Sequence, residues 1–98
     1  FVLGIMADKE FGRMIPGYCA ASEALALVRP DVERAAHTRV LRSAVPESFN
    51  GEVLEFPRVG DGVQWVLARS GDDPVCITGS FHTVGEAMTA LGVEPFSE

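Results

Sequence analysis

Short continuous apolar runs alternate along this chain with segments whose apolar residues recur at helical spacing. Residues 1–6 are apolar apart from one glycine, the pattern of a strand buried on both faces. Phe11, Met14, Ile15 and Tyr18 fall at i, i+3, i+4 and i+7 and predict a helix, with Asp8 placed to cap it. Pro16-Gly17 lies inside that pattern and predicts a kink or an early end. Residues 24–28 predict a second strand, closed by Arg29-Pro30. Asp31 is placed to cap a weaker helix through about Ser43, which Pro46 keeps from continuing. Val53 to Phe56 read as a short third strand closed by Pro57. Gly60-Asp61-Gly62 then leads into a third helix, with Val63, Val66 and Leu67 on one face and Trp65 near its edge. The Gly-Asp-Asp-Pro cluster at 71–74 reads as a turn and residues 75–78 as a fourth strand. The last helix carries Val84, Ala87, Met88 and Leu91 on one face and ends at Gly92.

Strands alternating with helices imply βαβ crossovers, and so an α/β fold. The expectation is a three-layer Rossmann-like domain: a mostly parallel sheet of about four strands with helices on both faces. In such a sheet the strand-to-helix corners fall at the carboxyl edge, where helix N–H groups point and ligands bind. Two Gly-containing corners stand out, one around Asp8-Lys9 and the other at Gly79-Ser80-Phe81-His82. Neighbouring strands lie about 4.8 Å apart, so Asp8, Lys9 and Ser80 are expected within roughly 10 Å of one another if their strands are neighbours or next neighbours.

The chemistry at these corners has two readings each. Gly79 lets backbone approach a ligand, and the Ser80 hydroxyl with nearby N–H groups can hold a carboxylate or phosphate; alternatively Ser80, or Thr83, only caps the helix. Taken alone, Asp8 and Lys9 read first as a helix cap and a solvated charge. The functional reading gives Asp8 a ribose or ammonium and Lys9 a phosphate oxygen. His82, in the first turn of the last helix, reads as a ligand contact or as a core or rim histidine, and His37 as solvent-facing. No catalytic triad, Walker A loop or Gly-x-Gly-x-x-Gly fingerprint is present, so the chain holds no complete active site and no catalytic residue is assigned.

Composition narrows the partners. Ninety-eight residues make one small domain. A net charge of −6 argues against nucleic acid or an anionic membrane as the main partner, while leaving room for an anionic small ligand in a locally positive pocket. Cys19 and Cys76 are the only cysteines, without a CxxC or clustered histidines. That speaks against a disulfide scaffold or a metal site, and for free buried thiols in a reducing cytoplasm. No signal peptide is visible, and no apolar run approaches the about eighteen residues of a membrane span. A chain opening on Phe1 inside an apolar strand reads as a fragment lacking its amino-terminal part.

The segment Leu3-Gly4-Ile5-Met6-Ala7-Asp8-Lys9-Glu10, with Met14 following, resembles the Gly-x-Met-x-Asp-Lys-Asp/Glu segment of folylpolyglutamate synthases. Residues 75–86, through Gly79-Ser80-Phe81-His82, are similar to that family's closing strand and Gly-Ser-Phe-His/Tyr corner. Arg29-Pro30 and Glu33-Arg34-Ala35 resemble its middle Thr/Arg-Pro…Arg-Ala region less specifically. The resemblance implies the carboxy-terminal domain of a folylpolyglutamate or dihydrofolate synthase of the Mur ligase superfamily. Such enzymes join L-glutamate to a folate carboxylate, driven by ATP through an acyl phosphate. It implies that Ser80 and His82 serve glutamate, and that Asp8 and Lys9 lie beside the nucleotide. ATP and Mg2+ would be held mainly by a central ATPase domain that this chain lacks, with none expected on the chain itself. The family's Asp-Gly-Ala-His-Asn segment does not occur here; it would precede Phe1. Two alternatives stand beside this reading: a non-catalytic α/β ligand-binding or regulatory module, and the same domain of another Mur-type amino-acid ligase. A receiver-like module would need a phosphorylatable Asp after its third strand, where Pro57-Arg58 stands.

Overall fold

The structure, a computed structural model, describes residues 1–71, 74–79 and 81–92, with only the backbone of Phe81. Its elements alternate as β1 (Val2–Leu3), α1 (Phe11–Ala20), β2 (Ala24–Val28), α2 (Thr38–Arg42), β3 (Glu52–Phe56), α3 (Val59–Ser70), β4 (Ile77–Thr78) and α4 (Phe81–Ala90). All four strands are parallel, in the order β3-β2-β1-β4. The fold is therefore the expected α/β architecture.

Strand β2 shows how the layers form. Its residues alternate faces: Leu25 and Leu27 join Leu3 and Ile5 under Ile15 and Cys19 of α1 and Leu41 of α2. Ala26 and Val28 join Val2 under Val59, Val63 and Val66 of α3 and Ala87 of α4. The strand residues named here, and Ile5 just beyond β1, are all fully buried. The two clusters place α1 and α2 on one face and α3 and α4 on the other. No described helix is long and apolar enough to cross a membrane.

Several expectations are corrected. Helix α1 runs through Pro16 to Ala20, without the early end. The residue that loses its hydrogen bond, and whose carbonyl the ring crowds, is Gly12, with open space around it. Asp8 does not cap this helix: the cap position is Glu10, with no side-chain bond, because a turn closed by Lys9 N–H on the Met6 carbonyl (3.1 Å) comes first. Regular pairing in β1 ends at Leu3, although Gly4, Ile5 and Met6 are equally buried. Met6 instead bridges Ala35 in antiparallel fashion. The Ala7 N–H donates to the Arg34 carbonyl (2.7 Å) and the Ala36 N–H to the Ile5 carbonyl (2.8 Å). This pairing takes residues 34–36 out of the helix that Asp31 was expected to cap, so α2 begins only at Thr38, with exposed His37 at its cap. Gly60-Asp61-Gly62 lies inside the first turn of α3 rather than before it. Leu67 and Leu91, grouped by spacing with the apolar faces of their helices, are 42% exposed. Cys19 is buried, and burial pushes its thiol pKa up. Cys76 is exposed, since β4 begins after it and forms the sheet's outer strand.

Candidate functional site

Strand order reverses between β1 and β4. From β1 the chain moves outward to β2 and β3, then returns to place β4 on the other side of β1. Helix α1 leaves β1 on one face, while α4 leaves β4 toward the other. Such a point opens a crevice at the carboxyl ends of the two strands. The two Gly-containing corners leave β1 and β4 there, with Val2 opposite Ile77 and Leu3 opposite Thr78.

The corners meet through glycine. Gly79 has φ +116°, and a side chain on it would run into the Gly4 backbone. A side chain on Gly4 would in turn meet the Thr83 hydroxyl and Pro30. The packing is held by the fully buried Thr83, whose Oγ1 donates to the Gly4 carbonyl over 2.7 Å. Thr83, weighed in the sequence only as an alternative helix cap, thus ties α4 to the end of β1.

Helix α4 continues across this edge. One turn on, Glu86 Oε2 accepts the Asp31 N–H over 2.7 Å, which secures the loop leaving β2. Near its end, Ala90 lies against Gly60 at the start of α3. Thr83, Glu86 and Ala90 share one helix face at i, i+3 and i+7. None of the three contacts has a local signature, and so none was legible in the sequence.

Asp8 and Lys9 occupy the exposed turn between Met6 and α1, and their side chains have no hydrogen bond or ion pair among the described residues. His82 is exposed in the first turn of α4, which excludes the core reading. Ser80 lies outside the described residues, although Gly79 before it and α4 after it bracket the corner. Among the described residues no group of His, Cys, Asp and Glu is placed to hold a metal.

Two hollows among the described residues lie at the other edge. A groove of about 680 Å³ runs between the end of α1 and the start of β3, past Cys19, Phe49 and Gly51. Another of about 390 Å³ is lined by Phe1, Ser22, Val66 and Cys76. Both border the amino ends of the strands. The reversal of strand order and the helix starts are at the carboxyl edge, which we take as the candidate site.

No protein-family model matches the chain, and no curated protein matches it significantly. Two solved structures do. The chain is similar to Mycobacterium tuberculosis folylpolyglutamate synthase complexed with ADP, at TM-score 0.83 and 22% identity over 97% of this chain. It is also similar to the same enzyme complexed with ADP and AMPPCP, at TM-score 0.79 and 23% identity over 97% of this chain. In each case it spans only 24% of the matched chain. The chain therefore has the fold of one domain-sized part of folylpolyglutamate synthase.

Proposed function

We propose that this chain is the carboxy-terminal domain of a cytoplasmic, ATP-dependent ligase that adds L-glutamate to folate. The observation that carries the reading is the contact of Gly79 with the Gly4 backbone at the switch point between β1 and β4, the strands whose ends lead in sequence to Asp8-Lys9 and to Ser80. The folylpolyglutamate synthase fold, seen in structures complexed with ADP, supports it. In this reading Ser80 and His82 orient glutamate, whose carboxylates suit a hydroxyl and helix N–H groups. Lys9 pairs with a phosphate oxygen and Asp8 with a ribose hydroxyl or an ammonium. The folate, the P-loop and the Mg2+ ligands belong to the rest of the ligase, chiefly its central ATPase domain. The 98-residue chain is then inactive alone, because none of its loops has the phosphate-gripping sequence.

The test is to compare this chain with the complete reading frame that contains it, each given ATP, Mg2+, a reduced folate and labelled glutamate. The expected result is glutamate-dependent ADP release and a glutamylated folate from the complete protein only. Steady turnover by the 98-residue chain, or no glutamate dependence in the complete protein, contradicts the proposal.

A further inference from the structure

The cations of this acidic chain divide into two sets. Arg13, Arg42 and Arg69 pair with Glu10, Glu55 and Glu52. Lys9, Arg29, Arg34, Arg39 and Arg58 have no carboxylate partner among the described residues. Carboxylates are not scarce, since Asp and Glu number 14 against 8 Lys and Arg. Position sets the unpaired five apart only in part, since the paired Arg13 also stands in the first turn of the helix that follows β1. Lys9 is on the loop leaving β1, Arg29 and Arg34 are on the loop leaving β2, Arg58 on the loop leaving β3, and Arg39 in the first turn of α2. All five therefore belong to segments that leave the carboxyl edge.

Two of these loops are joined. The Ala7 N–H donates to the Arg34 carbonyl over 2.7 Å, and Met6 bridges Ala35, so the Arg34 backbone lies beside the residues that lead into Asp8 and Lys9. Arg29 Nε donates to the Ala35 carbonyl over 3.3 Å and braces the same segment. The Arg34 side chain itself is exposed, with no ion pair among the described residues. Asp8 adjoins Lys9, and Asp31 and Glu33 lie on the same loop as Arg34, so the two cations stand among carboxylates with which they form no ion pair among the described residues. Glu86, the carboxylate that reaches the β2 loop, is already taken by the Asp31 N–H.

We infer that Arg34 is an anion-binding residue, which forms with Lys9 a two-cation seat for a ligand oxyanion where the β1 and β2 loops are bridged. The inference deepens the proposed function, resting on its placement of the site at this edge. The shared chemistry is a phosphate or carboxylate group: a planar guanidinium offers two parallel donors and the ammonium a mobile charge.

The test follows the backbone amides of the 98-residue chain by NMR during separate titrations with inorganic pyrophosphate, ADP and L-glutamate. The variants are Lys9→Ala, Arg34→Ala and Arg34→Lys, with Arg13→Ala as the ion-paired control. Retained amide dispersion shows that each variant is folded. The expected result is that at least one anion shifts the amides of residues 7–9 and 34–36 together, and more weakly as salt is raised. Arg34→Ala and Lys9→Ala should each weaken that binding roughly tenfold, the loss of one charge-assisted hydrogen bond. Arg34→Lys should retain part of it, and Arg13→Ala should leave it unchanged. A response to pyrophosphate and ADP assigns the seat to phosphate, and a response to glutamate alone assigns it to carboxylate. If Lys9→Ala weakens binding and Arg34→Ala does not, the inference fails while the proposed site stands. If no anion perturbs either loop, both fail.

Discussion

Gly79, Gly4 and Thr83 bring the two corners into contact. Gly79 combines a positive φ with direct backbone contact to Gly4, so Gly79→Ala meets both a conformational penalty and a clash. We expect it to destabilise the chain by at least about 2 kcal/mol in urea unfolding. Gly17 makes the contrast, since a methyl group there meets nothing within 4 Å and the residue is inside α1. Gly17→Ala should stabilise by roughly 0.5–1 kcal/mol in the same assay. Thr83→Val keeps the shape but removes the donor to the buried Gly4 carbonyl, and should cost about 1–3 kcal/mol. A Thr83→Val chain of unchanged stability would show that this bond does not hold the corner.

Among the elements, those with strong local patterns were legible. The run Ala-Leu-Ala-Leu-Val gave β2 its limits, and the spacing of Phe11, Ile15 and Tyr18 found α1. What failed depends on partners distant in sequence. Asp31 looks like a helix cap until its N–H is seen on Glu86, and residues 34–36 look helical until they pair with Ile5, Met6 and Ala7. Pro16 misled in the other direction, because packing of Ile15 and Cys19 against the sheet holds α1 together across it. Pro16→Ala restores a donor toward Gly12 and should stabilise the chain, by up to about 3 kcal/mol. A loss of stability would mean that the proline ring contributes more by packing than it costs the helix. At the site, the Gly-containing corners and their common edge were legible, since each follows a strand. The placement of Arg34 beside the Asp8-Lys9 turn was not, because it comes from a bridge spanning two elements.

For the whole molecule, the fold joins an amino edge bordered by two grooves to a carboxyl edge where strand order reverses and α4 crosses from Gly4 to Gly60. Under the proposed function, the carboxyl edge serves the incoming glutamate and the nucleotide of a larger ligase. The most direct measurement is the set of Michaelis constants of that complete ligase with Ser80→Ala. Loss of one hydrogen bond to a charged carboxylate costs on the order of 1.5–3 kcal/mol, so the constant for glutamate should rise roughly tenfold to a hundredfold. Those for ATP and folate should change little. Equal, small changes in all three would contradict the account and leave Ser80 as a helix cap.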